Sequence, residues 1–286
     1  MQKLNKKPLI VCLVIAALCL VGSFLVGSDG KTETIKETMK DAVLHETNRV
    51  SLFGIKDVNP AVISAFTVTA VLLIFALLVR IFVIPKFTYV PGKFQMLLEM
   101  WVGYFDNLAK TNSPYRNKFL GAYVFAAGTY IFVGTLFELF GLQVVTTEGV
   151  SVAMPAPLSD INGAIAMGCL SYFIILMGGL FSNGLRGVGS VLKDFSLPIS
   201  MSFRLFGALL SGLLVTELVY YYLMLSFVLP VVVGVLFTLL HALIQTYVLC
   251  MLTTIFYGEA AEPREKKPKK KKEKKSVKKK EQQAAA

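Results

Sequence analysis

Long apolar runs separated by short polar segments make up most of the chain. The runs occupy residues 8–27, 61–85, 118–144, 162–182, 197–227 and 229–257. A helix needs about 20 predominantly apolar residues to cross the hydrocarbon layer of a membrane, so each run is long enough. The pattern therefore predicts an all-α polytopic membrane protein with five transmembrane helices after an N-terminal, signal-like apolar segment.

The last two runs are the longest. Helices over residues 197–227 and 229–257 would each be about 45 Å long, against about 30 Å of hydrocarbon. Straight vertical helices would overshoot, so these two are expected to be strongly tilted, broken or partly outside the hydrocarbon. Pro230 marks the turn between them, which predicts a long tilted hairpin.

The polar segments divide the chain into regions. Three lysines precede the first apolar run, as in a secretory signal peptide, and the length of that run leaves an uncleaved signal anchor open. Residues 86–117 contain an amphipathic stretch that is expected at the membrane interface or on the bundle. The predicted regions are a signal peptide or anchor (1–28), an external polar segment (29–59), the membrane domain (60–257) and a Lys-rich, disordered cytoplasmic tail (258–286).

Composition supports the membrane assignment. Hydrophobic residues make up 55% of the chain and the mean hydropathy is +0.64, whereas an ordinary soluble domain has fewer apolar residues in shorter runs. The four cysteines (Cys12, Cys19, Cys169 and Cys250) all lie in apolar runs without metal-ligand spacing. They are interpreted as small residues facing lipid or the core.

The net charge of +11 comes mainly from the C-terminal tail. Twelve of the 29 basic residues lie between Arg264 and Lys280, and no aromatic residue follows Tyr257. A nucleic-acid site is not indicated, because no base-stacking side chain accompanies the lysines. Basic segments favour the cytoplasmic side of a membrane, which places the C-terminus there. The lysines could also bind anionic lipid or acidic partners.

Arg204 is the most informative single residue, because it lies inside an apolar run. A charge at the centre of a membrane helix costs about 2.5–3.5 kcal/mol, and arginine cannot discharge by losing its proton. Arg204 must therefore face a water-filled cavity or a carboxylate, unless it lies near the helix end and reaches the interface. The small residues on or near its face allow close approach of another helix, either in the bundle or on a partner that carries a carboxylate. These residues are Gly207, Ala208, Ser211 and Gly212.

Three polar residues share one face of the last run. Thr238, His241 and Gln245 are separated by three and four positions, which places them on one helical stripe. A water-lined path is the favoured interpretation, and hydrogen-bonded packing is the alternative. Glu217, in the preceding run, either joins such a path or is solvated near the outer interface.

Four segments together resemble subunit a of F-type ATP synthases. The arginine segment reads SMSFRLFG over residues 200–207, with Gly212 after it, and the glutamine segment reads ALIQTYV over residues 242–248. Residues 90–95 (VPGKFQ) and 155–162 (PAPLSDIN) resemble a cytoplasmic loop and a Pro-rich outer loop of that family. The resemblance covers residues 59–257 in family order, and the combination of the arginine and glutamine segments is very specific.

The resemblance implies a function without bond chemistry. The family's essential arginine maps to Arg204 and its helix partner to Gln245. Two aqueous half-channels would carry protons to and from the carboxylates of a rotating c-ring and so couple ion flow to ATP synthesis. The implied partners are the c-ring, peripheral-stalk b-type subunits, the other subunits of the complex and the lipid bilayer of a bacterial plasma membrane. No cofactor, metal or nucleic acid is expected.

The chain departs from the family pattern at three positions. Ala208 stands where the family usually has Asn, Leu213 where it has Glu or His, and Thr238 takes the polar position seven residues before the glutamine. Glu217 and His241, each one turn further along, are candidate substitutes.

The axial positions of residues in an antiparallel hairpin predict how these substitutes are placed. If Arg204 is level with Gln245 in an antiparallel hairpin, His241 falls beside Ala208. Glu217 is then about 13 Å from His241 along the axis, so a direct ion pair is not expected. His241 is predicted to occupy space near Arg204, and Glu217 to line the outer half-channel.

Three loop residues are weaker candidates. Asp160 and Asn162 would lie at the mouth of the outer half-channel, and Asp194 resembles an acidic position before the family's proline, here Pro198. Loop acids are most often simply solvated.

Two alternative functions differ in what they predict. A self-contained transporter predicts internal repeats or paired broken helices, and the sequence contains no visible repeat. A structural assembly subunit predicts that Arg204→Ala disrupts the complex, whereas a channel predicts an assembled but inactive complex.

Overall fold

The computed structural model describes residues 50–52, 55–115, 117–145, 151–221 and 229–263. Within them lie four short strands and seven α-helices. The strands are β1 (Val50–Leu52), β2 (Ile55–Val58), β3 (Gln143–Val145) and β4 (Ser151–Ala153). The helices are α1 (Pro60–Leu78), α2 (Lys93–Asn112), α3 (Lys118–Phe137), α4 (Ile161–Asn183), α5 (Leu185–Val191), α6 (Ser196–Tyr221) and α7 (Leu229–Ala261).

Four helical segments in this part of the chain are long and apolar enough to cross a membrane. A fifth is obtained if the helical segments Leu185–Asp194 and Ser196–Gly212, which meet at a bend of 49°, are one broken span. The prediction of a polytopic helical membrane protein is confirmed at this level. The predicted signal segment (1–28) and most of the Lys-rich tail lie outside the described residues. The four segments are Pro60–Lys86, Lys118–Phe140, Ile161–Asn183 and Gly234–Ala261.

The bent span begins in a segment that looks like a loop in the sequence. Gly184 has φ +62°, a left-handed value that glycine adopts without strain, and it reverses the chain after α4. The short helix α5 then packs back along α4, because Gly187 lies directly against the carbonyl of Gly179. Tyr172 secures the same contact by donating a hydrogen bond from its hydroxyl to the Val191 carbonyl, at 3.1 Å. The break in the span therefore has a packing cause.

The bundle core forms where α7 meets α3 and α4, with α6 packed against both α4 and α7. Phe105 of the amphipathic helix α2 is fully buried and fills the space above Gly128 of α3. Trp101 adds a hydrogen bond from its indole Nε1 to Thr129 Oγ1, at 3.1 Å. The predicted amphipathic stretch is thus packed on the bundle through its aromatic side.

Helix α1 is peripheral. Its buried side, with Val68 fully buried, packs against α3, while Phe66 and Leu73 are exposed on its other side. It continues through a π-helical turn (Val79–Val83) that carries the exposed Arg80. Exposed apolar side chains of this kind suit a lipid-facing helix.

Polar side chains from two neighbouring helices hold the end of α7. Asn112 Nδ2 donates to Thr254 Oγ1 at 2.9 Å, and Ser182 Oγ donates to the Ala261 carbonyl at 2.6 Å. Asn183 Nδ2 donates to the carbonyls of Ala260 (3.1 Å) and Glu262 (2.8 Å). The bonds from Ser182 and Asn183 satisfy carbonyls that a helix end leaves unpaired. We call Asn112, Ser182 and Asn183 the C-terminal clamp; α7 runs four residues beyond the predicted boundary at Tyr257.

Two antiparallel ribbons supplement the helices. Strands β1 and β2 pair with each other, as do β3 and β4. The ribbons lie in the segments that connect or precede helices, so the all-α prediction holds for the membrane-spanning part of the described chain. The Pro-rich loop after β4 is buried: Pro157 packs against Gly134 of α3.

Candidate functional site

The start of α6 is fixed on α4 through one glycine. Gly168 lies so close to Ser202 that a Cβ atom would collide with its hydroxyl, and such an atom would lie 2.9 Å from the Pro198 carbonyl. Leu205 is buried on the packed side of α6. Arg204 lies on a different side of the helix, so its side chain is exposed.

The surface next to Arg204 is open and built from small residues. Gly207 is exposed, and a Cβ atom placed on it would meet nothing within 4 Å. Ser211 is also exposed, and its hydroxyl donates to the Ala208 carbonyl at 2.7 Å. Among the described residues, Arg204 forms no ion pair. Within the part of the chain that the structure describes, the guanidinium is thus an unpaired cation beside an accessible face of small residues.

Gly212 belongs to a different surface, because it faces α7. A Cβ atom on Gly212 would lie 3.2 Å from His241 Nδ1. The His241 ring also lies 5.8 Å from the Phe237 ring, centroid to centroid. The contact with Gly212 is one helical turn from Ala208, the position that the estimate from axial positions assigned to His241. The absence of a side chain at Gly212 lets the imidazole approach α6 there. An estimate from axial positions alone does not take side-chain size into account.

The polar stripe of α7 is turned inward. Thr238 and His241 are half-buried and Gln245 is buried, while Leu240 and Leu243 beside them are exposed. This is the reverse of a helix in water, where polar residues face outward. The stripe therefore gives the interior of the bundle a line of polar groups on one continuous helix.

Glu217 is placed only through its backbone. It lies in α6, five residues after Gly212, and its side chain is outside the described part of the chain. The expectation that Glu217 and His241 do not form an ion pair stays a prediction.

The three loop candidates lie at different places along the bundle. Asp160 directly precedes α4, where its carbonyl accepts a hydrogen bond from Ala164 N at 3.1 Å, and Asn162 is exposed in the first turn. Asp194 is exposed in the short helical turn between α5 and α6.

The structure adds one carboxyl group that the sequence analysis passed over. Glu138 is half-buried in the helical turn Glu138–Phe140, which follows α3 and packs against α7. A single acidic residue inside the apolar run 118–144 was the available signal.

Comparison with known proteins gives one consistent result. The family described as "ATP synthase A chain" matches residues 62–258, more than half of the chain. ATP synthase subunit a of Histophilus somni (strain 129Pt) is 27% identical over 205 residues, which cover 60% of this chain and 77% of the relative. That of Sulfurihydrogenibium sp. (strain YO3AOP1) is 26% identical over 191 residues, covering 61% and 86%. That of Cereibacter sphaeroides (strain ATCC 17025) is 26% identical over 183 residues, covering 60% and 70%.

Proposed function

Because the chain belongs to the ATP synthase A chain family, we propose that it is the stationary ion-channel subunit of an F-type ATP synthase. In this proposal it conducts protons to and from the carboxylates of a rotating c-ring, and so couples ion flow to rotation and ATP synthesis. The observation that carries the proposal is Arg204, an exposed cation on an apolar helix with no ion pair among the described residues.

The charge of Arg204 explains what it would do. A permanent cation stabilises the ionised form of a nearby carboxyl group. A carboxylate on a passing helix would release its proton as it reaches Arg204 and would be held there briefly as an ion. The same positive charge opposes the passage of protons straight across the site. Arg204 would thereby separate the two half-channels.

The accessible face beside Arg204 suits a moving partner. Gly207, Ala208 and Ser211 present little side-chain volume, so another helix can pass close to the α6 backbone. Gly212 contributes differently, since it admits His241. We propose that the c-ring contacts the first three residues and that Gly212 sets the spacing between α6 and α7 at the edge of the rotor face.

The remaining polar groups would line the water-filled paths. Thr238, His241 and Gln245 supply the inward stripe of α7, and Glu217 extends it on α6. Glu138 lies beside α7 and joins this set as a further proton-accepting group. Asp160 and Asn162 would lie at the outer mouth, and Asp194 would contact a partner.

The proposed setting is a multi-subunit complex in a bacterial plasma membrane, with the C-terminus in the cytoplasm. Basic residues support this orientation, because Lys86, Lys118 and Arg186 lie at ends of spans on the same side as the end of α7. The c-ring, peripheral-stalk b-type subunits and other subunits would supply the rotor, the anchor and the nucleotide chemistry. This chain performs no bond chemistry in the proposal.

The experiment compares two arginines in similar surroundings. Arg204 and Arg80 are both exposed on apolar helices. Complexes carrying Arg204→Ala or Arg80→Ala are purified, reconstituted into vesicles and assayed for ATP synthesis driven by a membrane potential, together with subunit content. Arg204→Ala should give a fully assembled complex whose synthesis falls to the level seen without a potential.

The Arg80→Ala complex should synthesise ATP at nearly the wild-type rate, because Arg80 lies in the π-helical turn that continues the peripheral helix α1. Retained synthesis in Arg204→Ala would refute the proposal. Loss of the whole complex in Arg204→Ala alone would favour a structural role for the arginine.

A further inference from the structure

An open cavity lies between the start of α3 and the second half of α4. Its volume is about 550 Å³, within the range of small-molecule sites. Further along, the two helices are joined by Tyr123 and Ser171, whose hydroxyls are 2.8 Å apart. Tyr257 of α7 forms part of the lining, packed directly against Gly178. The cavity is therefore a gap between two helices with a third helix behind it.

The body of the cavity is apolar and open to the surroundings. Phe119, Phe173 and Phe181 line it, and all three are exposed. Met177 adds a flexible apolar side chain to the lining. Exposed aromatic side chains around a groove fit a hydrocarbon chain, and in a bilayer such chains are the available partner.

One end of the cavity is polar and positively charged. Tyr115, Asn117 and Lys118 line it there. Lys118 forms no ion pair within the described residues. The carboxylate that lies beside its helix, that of Asp106 near Gly121, pairs with Lys110 instead. The cation is thus available to a ligand.

The start of α3 reinforces that charge. Asn117 occupies the N-cap position of this 20-residue helix, and its side chain makes no capping hydrogen bond. The first N–H groups of a helix have no partner within the helix, and the helix dipole makes this end positive. Phosphate groups bind at such ends when a cation is nearby.

We propose that this cavity is a binding site for one anionic glycerophospholipid. The phosphate lies at Lys118 and the first turn of α3, and one acyl chain lies along Phe119, Phe173 and Phe181. A zwitterionic lipid binds less well, because its own ammonium group competes with Lys118 for the phosphate. None of the residues that line the cavity belongs to the proposed rotor face. The lipid site therefore goes beyond the proposed function and is tested separately from it.

The test uses the purified complex in phosphatidylcholine vesicles that contain a trace of phosphatidylglycerol with a photoreactive acyl chain. After irradiation, labelled peptides are identified by mass spectrometry. We expect label on the α4 peptide that contains Phe173 and Phe181, reduced by added unlabelled phosphatidylglycerol but not by phosphatidylcholine. Lys118→Ala should lower this labelling about fivefold, the effect of removing about 1 kcal/mol of attraction between one basic residue and anionic lipid.

Lys193→Ala is the matched control, since Lys193 is also exposed but does not line the cavity. It should leave the labelling unchanged. Met177→Trp should lower labelling by filling the groove, with Lys118 intact. Unchanged labelling in Lys118→Ala, or equal labelling by a photoreactive phosphatidylcholine, would overturn the proposal.

A second probe distinguishes lipid from protein. A photoreactive phenylalanine analogue at Phe181 should form adducts with phosphatidylglycerol. A covalent adduct with another subunit at that position would assign the groove to a partner helix and also overturn the lipid proposal. ATP synthesis by the Lys118→Ala complex reports on the channel independently of either result.

Discussion

The two halves of α7 have similar apolar sequences but different surroundings. In the second half, Leu249, Cys250 and Tyr257 are buried in the bundle core. In the first half, Leu236 and Leu240 are exposed. Hydropathy alone does not distinguish the two halves, because lipid, a partner subunit and the core of the same chain all favour apolar side chains. The second half of α7 is the part packed in the core, and the first half keeps an exposed apolar side.

Polar groups differ between the halves in the same way. Around the second half, Asn112 and Asn183 are hydrogen-bonded to α7. Beside the first half, Arg204 is exposed without an ion pair among the described residues. Buried polar groups that stabilise a fold are normally paired. A costly group without a partner within its own chain is the stronger indicator of function.

The largest expected effect is in the second half of α7. A Cβ atom at Gly258 would collide with the backbone carbonyl of Asn112, which cannot move without displacing the end of α2. Gly258→Ala should cost about 1–3 kcal/mol or more through overpacking, and the amount of assembled complex in the membrane should fall sharply.

Gly234→Ala is the matched change in the first half, where a Cβ atom meets nothing within 4 Å. It should leave assembly unchanged or improve it slightly, because alanine is favoured over glycine in helices. Immunoblots of isolated membranes measure both variants. Equal assembly of the two would contradict the distinction between the halves.

An intermediate effect is expected at the open face beside Arg204, on the rate of ATP synthesis and not on assembly. Gly207→Leu should leave the chain folded and assembled, because the site is empty around it. If a rotor helix passes there, the added side chain should slow ATP synthesis about tenfold, the rate equivalent of an overpacking cost near 1.4 kcal/mol.

Gly189→Leu serves as the control for Gly207→Leu, since Gly189 is also exposed and free of neighbours but lies in α5. It should synthesise ATP normally. Normal synthesis by both variants would show that no partner approaches the face beside Arg204.

The smallest effect is expected at the C-terminal clamp. Asn183→Ala removes two hydrogen bonds and leaves the carbonyls of Ala260 and Glu262 without this donor. A local cost of about 1 kcal/mol is expected, because water can partly replace the lost donor at the exposed carbonyl of Glu262. Amide hydrogen exchange near the end of α7 should then accelerate about fivefold without loss of assembly. Asn162→Ala, an exposed asparagine in the same helix, should not change that exchange. Identical exchange in the two variants would mean that the clamp does not stabilise the helix end.

The apolar runs predicted the positions of the membrane-spanning helices, because the thickness of the hydrocarbon layer sets the length that such a helix needs. The amphipathic stretch of α2 followed from the same local pattern, and the role of Arg204 stays a prediction. The bent span did not follow from that pattern, since its first part is a helix that depends on the contact of Gly187 with Gly179, which are eight positions apart and meet only after the chain reverses at Gly184.

The register of α6 and α7 was also beyond the sequence. Pairing residues by their position along the two helix axes ignores the size of the side chains between the helices. The observed contact of His241 with Gly212 depends on that size, because Gly212 has no side chain. The clamp was hidden for a similar reason. Its three side chains look like ordinary helix-end residues until the fold brings Asn112 to Thr254, and Ser182 and Asn183 to the last carbonyls of α7.

The clamp has a mechanical consequence. The second half of α7 is packed in the core and its end is hydrogen-bonded by Asn112 and Asn183, whereas Leu236 and Leu240 of its first half are exposed. If a partner pushed sideways on the first half, the helix would bend where the packed part begins, because the atoms beyond that point cannot move with the load. The clamp would then keep the far end of α7 from tilting, so the reaction to such a push would be carried by the core and the clamp together.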